Sequence, residues 1–173
     1  IQDGAMESVA NIVKQKHINL LQNTEGLHLR GAQVDGARRI AMHYKYSLST
    51  LFERFPQAPG VIIVEDDLLF SPDFYEYFHT VAPLLEVDDS LFVLSAWNDN
   101  GFIGHVSDPF TLYRTEFFPG LGWFLPRQLY VRELEAKWPK EHWDHWLRSV
   151  PINKGRETVY PQIPRTYHNG IQG

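Results

Sequence analysis

One stretch of the chain constrains its fold more than any other. Four β-branched aliphatic residues, Val61–Val64, lead directly into Glu65, Asp66 and Asp67. Such a run predicts a strand that is buried on both faces. In an open α/β sheet, ligands lie beyond the carboxyl ends of the strands, so these acids would lie where a substrate or a metal ion is held. They could equally solvate a strand end before a helix begun by Ser71, and the spacing alone does not decide between these interpretations.

Helical and extended segments alternate along the first hundred residues. The predicted helices span 6–13, 40–55 and 72–81, and the predicted strands span 18–21, 61–64 and 91–95. Residues 22–35 lack either period and are predicted to form a loop. Alternation of this kind predicts an α/β fold with a parallel-dominated sheet.

The composition narrows the class of protein. A chain of 173 residues, 43% of them hydrophobic, can bury one good core, so we expect a single domain. A net charge of -5 argues against a nucleic-acid partner. No apolar run approaches bilayer-spanning length, so we expect no membrane contact from this segment. The chain has no cysteine, which excludes zinc-thiolate and thiol-nucleophile chemistry and leaves a cytoplasmic location open.

Two groups of residues could carry chemistry. Carboxylates at a strand end suit Mn²⁺ or Mg²⁺, with diphosphate oxygens completing the coordination shell. Asp144 lies among tryptophans, and apolar surroundings would raise the pKa of such a carboxyl, as a general base for an alcohol requires. Composition alone favours the alternative, a short helix that Trp143 and Trp146 anchor while Asp144 is exposed. His142 and His145 have metal-ligand spacing without a third ligand nearby, which favours solvent-facing imidazoles.

Two loops remain open to a binding or a structural interpretation. The glycine-rich segment 119–123 would let backbone approach a ligand closely, but it lacks the Lys-Ser/Thr of a phosphate-binding loop. Trp97, Asn98 and Asp99 could stack on and hydrogen-bond to a polar ring, or form an ordinary Asx-rich turn.

Several separated blocks, in order, carry a resemblance to a known family. They are Val-Glu-Asp-Asp-Leu (64–68), Ser-Pro-Asp-Phe-Tyr-Glu-Tyr-Phe (71–78), Leu-Ser-Ala-Trp-Asn-Asp-Asn-Gly (94–101), Leu-Tyr-Arg-Thr-Glu-Phe-Phe-Pro-Gly-Leu-Gly-Trp (112–123), Lys-Trp-Pro-Lys (137–140), Trp-Asp-x-Trp (143–146), Lys-Gly-Arg-Glu (154–157) and Pro-Arg-Thr-Tyr-His (164–168). From about Ala41 to Gly170 the chain resembles the β-1,2-N-acetylglucosaminyltransferases, the family of N-acetylglucosaminyltransferase I and protein O-mannose β-1,2-N-acetylglucosaminyltransferase.

The resemblance implies a GT-A glycosyltransferase fold, with a Rossmann-like, mostly parallel sheet flanked by helices. It implies one catalytic domain over 1–173, in which 1–60 bind the nucleotide and 61–173 serve the metal, the donor sugar and the acceptor. It also implies manganese (or magnesium), inversion at the anomeric carbon, UDP-N-acetylglucosamine as donor, a mannose-containing glycan as acceptor and a location in the Golgi lumen.

Site residues follow from the same resemblance. Asp67 is similar to the direct metal ligand, Asp66 to a ribose partner and Glu65 to a donor-sugar contact. Asp144 matches the catalytic base. The remaining matches are Asp3 and His43, similar to a uracil-contacting pair, and Leu121 and Trp143, in segments that line the donor-sugar pocket.

The chain departs from the family pattern in three ways. It starts near the end of what resembles the family's second strand, so we expect a fold that is incomplete at the N-terminus. It stops just after Gly170, where the family continues into a loop over the phosphates and an acceptor-binding region. Val93 and Thr158 stand where the animal enzymes usually have cysteines. We therefore keep two other functions as alternatives: a non-catalytic glycan- or nucleotide-binding module of the same fold, and a magnesium-dependent phosphohydrolase.

Overall fold

The computed structural model describes residues 1–24 and 36–170, which divide into two compact units. Unit 1 comprises Ile1–Gln57 and Lys137–Trp143, and unit 2 comprises Ala58–Ala136 and the chain from Asp144 onward. The expectation of a single catalytic domain, divided after residue 60, stays a prediction.

The described part of residues 1–57 in unit 1 forms helices and short strands. The elements are β1 (Gln2–Asp3), α1 (Glu7–Gln15), β2 (Gln22–Asn23) and α2 (Gly36–Arg54). Helix α2 confirms the predicted helix and buries Ala41, Leu48 and Phe52. The strand predicted at 18–21 is wrong, because β2 forms just after it and pairs in parallel with β1. Of the loop predicted at 22–35, residues 25–35 lie outside the described residues.

Unit 2 contains the remaining strands and most of the short helices. The strands are β3 (Gly60–Ile63), β4 (Leu68–Phe70), β5 (Leu91–Ser95), β6 (Leu112–Thr115), β7 (Trp123–Pro126), β8 (Glu157–Pro161) and β9 (Thr166–His168). The helices are α3 (Phe74–Val81), α4 (Leu84–Val87), α5 (Arg127–Leu129), a π-helical segment (Tyr130–Leu134), a 3₁₀ segment (Glu135–Lys137), α6 (Trp143–Leu147) and α7 (Val150–Asn153). The last residue of the 3₁₀ segment and the first residue of α6 belong to unit 1.

The central sheet of unit 2 is mixed and mostly antiparallel. Its order is β3-β7-β5-β8-β6, and of its neighbouring pairs only β5 and β8 are parallel. The mixed α/β class is confirmed, but the parallel-dominated sheet is wrong for the described residues. The difference comes from β6 and β7, which run antiparallel to their neighbours in the sheet. The alternation of helices and strands is interrupted after residue 95, so no helical crossover makes these two strands parallel to the others.

Among the described strands, β3 lies at the edge of this sheet, with β7 as its neighbour. All four of its residues are half-buried, and Val64, just beyond it, is 46% exposed. The prediction of a strand buried on both faces is therefore wrong at this position. It applies instead to β5, which is flanked by β7 and β8 and buried at every residue.

The core of unit 2 lies between α3 and the middle of the sheet. Its buried members are Tyr77, Phe78, Val81, Leu91, Leu94, Ala96 and Val159. This core fixes α3 against β5, and thereby fixes the segment that joins β3, β4 and α3. Among the described residues, no helix is both long and apolar enough to cross a bilayer.

Candidate functional site

The acidic run forms the turn that joins β3 to β4, so its predicted position beyond a strand end is confirmed. The backbone N–H of Leu68 donates to the carbonyl of Glu65 at 3.4 Å. Glu65 and Asp66 are exposed. Strand β4 then pairs antiparallel with β9, with Leu68 opposite His168, so the end of the acidic run meets a second strand end.

Asp67 contacts a histidine near the end of the described chain. Its Oδ2 lies 3.0 Å from Nε2 of His168, and its backbone carbonyl accepts from the N–H of Asn169 at 2.8 Å. Its Oδ1 is buried and has no hydrogen-bond partner among the described residues. A buried carboxylate oxygen without a partner is costly, and a bound cation would remove that cost.

The surroundings of Asp67 fit a hard divalent ion. A Cβ on Gly170 would lie 2.8 Å from Asp67 Oδ2 and 2.9 Å from the His168 ring, so the glycine leaves room around this pair. Within residues 1–24 and 36–170, no three His, Asp or Glu side chains converge as a ready metal cage. Magnesium in nucleotide enzymes is usually bound by one or two carboxylates, while substrate phosphates and water complete its shell. The Asp67 carboxylate fits that kind of site.

A buried arginine holds β9 in place. The guanidinium of Arg165 donates to Asp73 at 3.0 Å, to the carbonyl of Ile163 at 2.5 Å and to the carbonyl of Pro109 at 2.6 Å. The hydrogen bond from Ser71, followed by the charge of Arg165, lowers the pKa of Asp73. Helix α3 begins at Phe74 with Asp73 before it, so Ser71 binds that aspartate at 2.5 Å rather than capping the helix as predicted.

Leu121 lies at the centre of a left-handed bend. Its φ is 50°, and its neighbours Gly120 and Gly122 have φ of 71° and 91°. The hydroxyl of Thr166 in β9 donates to the carbonyl of Leu121 at 2.7 Å, and the hydroxyl of Ser95 donates to the carbonyl of Gly120 at 2.9 Å. The bend is thus attached to the same strand that carries His168.

Asp144 is held by an arginine and not surrounded by apolar groups. Arg148, one turn later in the chain, donates to Asp144 Oδ2 at 2.9 Å, and the Asp144 side chain is 35% exposed. The same guanidinium donates to the carbonyl of Phe118 at 3.0 Å. The expected apolar environment is therefore wrong for Asp144, because the charge of Arg148 lies directly at the carboxylate; the alternative that composition favoured, a short helix with Asp144 open to solvent, agrees better with α6. His145 Nε2 is 3.9 Å from the same oxygen and mostly exposed.

Three further predicted site residues lie in unit 1. Asn23 Nδ2 lies 3.3 Å from Nδ1 of His43, and Arg39 forms an ion pair with Asp3 at 3.3 Å. Burial lowers the pKa of His43, and the nearby charge of Asp3 partly opposes this effect. Trp143 is buried and stacks on Tyr44 of α2, with ring centroids 4.0 Å apart. The structure therefore brings Asp3 close to His43 and puts Trp143 beside the following residue of α2.

The loop at Trp97 forms an Asx turn and also lines a cavity, so it agrees with both the structural and the binding interpretation of its sequence. The backbone N–H of Asn100 donates to Asn98 Oδ1 at 2.9 Å, which forms an Asx turn, and Trp97 Nε1 donates to Asp99 at 2.8 Å. The loop also lines a cavity of about 230 Å³. The other residues lining this cavity are Thr115, Phe117, Pro119 and Tyr160.

The sequence did not predict the side chains that contact the Asp67 and Asp144 carboxylates, which are His168 and Arg148. Arg148 had a local signal, since Asp and Arg four residues apart on a helix face each other. His168 had none, because it lies 101 residues from Asp67 and only the β4–β9 pairing brings the two together.

Comparison with known proteins agrees with the resemblance in the sequence. The model of the GNT-I family matches residues 1–173. Alpha-1,3-mannosyl-glycoprotein 2-beta-N-acetylglucosaminyltransferase of Arabidopsis thaliana is 41% identical over 180 residues, which cover 99% of this chain and 39% of the relative. The chain thus spans about two fifths of the length of that curated relative. The chain belongs to the GNT-I family.

Proposed function

We propose that the protein is a metal-dependent, inverting N-acetylglucosaminyltransferase of the GT-A type. It would move N-acetylglucosamine from UDP-N-acetylglucosamine to a hydroxyl of a mannose-containing glycan, with a β-1,2 linkage, in the Golgi lumen. Membership of the GNT-I family supports the reaction class and the donor. The single structural observation that carries the proposal is the Asp67 carboxylate: its Oδ1 is buried without a hydrogen-bond partner among the described residues, and Gly170 leaves space beside its Oδ2.

The metal site would form around Asp67. Manganese, or magnesium, would bind this carboxylate and the diphosphate oxygens of the donor. When bound, the ion neutralises the charge that develops on the leaving UDP. Glu65 and Asp66 are exposed in the same turn, and the resemblance implies that they contact the donor sugar and the ribose.

Asp144 would act as the general base. Arg148 pairs with its Oδ2, and His145 Nε2 lies 3.9 Å from the same oxygen, so Oδ1 would accept the proton from the acceptor. The acceptor oxygen forms a bond to the anomeric carbon as its proton passes to Asp144, and the bond from that carbon to the phosphate oxygen breaks on the opposite face. The bonding electrons leave with UDP. Arg148 fixes the carboxylate for this step.

The remaining donor contacts follow the resemblance. Asp3 and His43 would contact the uracil, and burial, which lowers the pKa of His43, favours its neutral form. Leu121 and Trp143 would contact the donor sugar. The left-handed bend presents Leu121 by fixing its backbone to Thr166.

Transfer assays on paired variants test this proposal. Asp67→Asn and Asp144→Asn should each reduce transfer from UDP-N-acetylglucosamine by at least about 10²-fold while the thermal midpoint stays close to wild type. Asp89→Asn is the matched control, since Asp89 is exposed in unit 2. Full transfer by either site variant would refute the assignment.

The cavity at Trp97 favours a second candidate, a non-catalytic glycan-binding module. Its aromatic residues, Trp97, Phe117 and Tyr160, could stack on a sugar ring. Calorimetry separates the two functions. Manganese-dependent UDP binding supports the transferase, whereas glycan binding that is lost in Trp97→Ala, without any UDP binding, supports the module.

A further inference from the structure

We propose that His168 is a second protein ligand of the divalent ion, so that the ion is held by two strand ends rather than by the acidic run alone. The inference rests on the proposed function, because it concerns the ion that Asp67 would bind. It adds a residue that lies outside the Glu65–Asp67 motif.

The geometry of the pair fits shared coordination. Two adjacent ligands of an octahedral ion, each about 2.1 Å from the metal, lie about 3.0 Å apart. Nε2 of His168 lies 3.0 Å from Oδ2 of Asp67. An ion could therefore take both atoms with small side-chain movements. The side chains of His168 and Asp67 are 42% and 37% exposed, so both can be reached from solvent.

Separate hydrogen bonds fix the backbone around each of the two ligands. The carbonyl of Asp67 accepts from the N–H of Asn169 at 2.8 Å, which joins the acidic turn directly to the end of β9. The guanidinium of Arg165 and the hydroxyl of Thr166 hold β9 itself. Gly170 keeps the space beside both side chains free of a Cβ. Preorganised ligands of this kind lose little conformational entropy when they bind an ion.

An imidazole ligand has a consequence for metal preference. Magnesium strongly prefers oxygen ligands, whereas imidazole suits transition ions. His168 should therefore favour manganese over magnesium, and replacing it should reduce that preference. A histidine that only hydrogen-bonds to Asp67 would also support metal binding, and removing such a neighbour typically costs about 10–100-fold in affinity. Affinity alone does not separate a ligand from a positioning residue.

Pulsed electron paramagnetic resonance of bound Mn²⁺ separates them, because it detects directly coordinated nitrogen. The experiment uses the protein with Mn²⁺ and UDP, with natural-abundance and ¹⁵N-histidine labelling, so that uridine nitrogens are distinguished from imidazole. We expect a histidine nitrogen coupling in the wild type and in His105→Ala, an exposed control in unit 2, and its loss in His168→Ala. Competition with Mg²⁺ should show a lower manganese preference in His168→Ala.

Asp67→Asn separates failure of this inference from failure of the proposed function. If manganese binds in an Asp67-dependent manner and no histidine nitrogen couples to it, His168 is not a ligand, and the proposed function is unaffected. If manganese does not bind, or binds equally well to Asp67→Asn, both the metal site and the role of His168 are refuted. Should His168→Ala fail to fold, the ¹⁵N-histidine spectrum of the wild type decides alone.

Discussion

The Asp67 carboxylate and the His168 imidazole lie 3.0 Å apart although 101 residues separate them in the chain. The antiparallel register of β4 and β9, which puts Leu68 opposite His168, creates this pair. The chemistry of the acidic turn therefore depends on a strand near the end of the described chain. Changes that disturb β9 should affect metal binding without altering any acid.

Gly170→Ala tests the space beside this pair. The new Cβ would lie 2.8 Å from Asp67 Oδ2 and 2.9 Å from two atoms of the His168 ring, so these side-chain ends must move. We expect manganese affinity to fall about 10-fold or more, because displaced ligands and neighbours typically cost that much. The thermal midpoint should change little, since flexible side-chain ends can shift cheaply. Isothermal titration with Mn²⁺ and UDP measures the affinity.

Gly36→Ala is the matched control for Gly170→Ala. A Cβ on Gly36 would meet no described atom within 4 Å. Its manganese affinity should equal that of the wild type. Equal affinities in Gly36→Ala and Gly170→Ala would show that the space beside Asp67 has no role in binding the ion.

Arg165→Lys tests the anchor of β9. A lysine ammonium cannot reproduce the planar fork that binds Asp73 and two backbone carbonyls, and the Arg165 side chain is only 8% exposed. We expect a loss of about 2–4 kcal/mol in the free energy of unfolding, because buried acceptors lose their donors. Urea denaturation measures it. Arg132→Lys, at an exposed position of the same unit, should lie within about 0.5 kcal/mol of wild type.

The sequence predicts the local parts of this molecule better than their arrangement. Helix α2 and strand β5 follow from the period and length of their apolar runs. The sheet does not, because its mostly antiparallel order depends on β6 and β7, which follow irregular segments without helical crossovers. The same difference between local and long-range features applies to the candidate site. Acids at a strand end are visible in the sequence, whereas the partner of Asp67 depends on a long-range strand register that no local pattern encodes.

Arg148→Gln tests whether Asp144 must be positioned. The arginine joins Asp144 to the carbonyl of Phe118, and without it the carboxylate is free to rotate. A small misplacement of a catalytic group costs about 10²-fold, so kcat should fall by roughly that factor. KM for the donor should stay near the wild-type value, since Arg148 would act on the proton transfer. Steady-state transfer kinetics separate the two constants.

The conservative variant and a neighbouring histidine serve as controls for Arg148. Arg148→Lys should recover part of kcat, because its ammonium can still pair with Asp144 at helical spacing. His145→Ala should keep normal kinetics, since His145 Nε2 is 3.9 Å from the carboxylate and its side chain is 74% exposed. A higher KM for the donor with an unchanged kcat in Arg148→Gln would contradict a positioning role.

Gly122→Ala and Thr166→Ser together test the left-handed bend. A Cβ on Gly122 would lie 2.7 Å from Cγ2 of Thr166, and the φ of 91° is strained for any L side chain. Backbone strain alone costs about 1–3 kcal/mol. Thr166→Ser removes the clashing methyl group and keeps the hydroxyl that binds Leu121, so the double variant should recover part of the loss. Additive effects in a double-mutant cycle of urea unfolding would show that the two residues do not meet.

His43 should make stability depend on pH in a defined direction. Burial lowers its pKa below the ordinary 6.5, so between 6.5 and the lower folded value the unfolded chain binds more protons than the folded one. Stability should therefore fall as the pH is lowered through this window and be insensitive to His43 above pH 7. The urea midpoint of His43→Gln should change less between pH 7.5 and pH 5.5 than that of the wild type. His79→Gln, at an exposed position, should keep the wild-type dependence. An NMR titration that gives His43 a pKa above 6.5 would contradict the effect of burial.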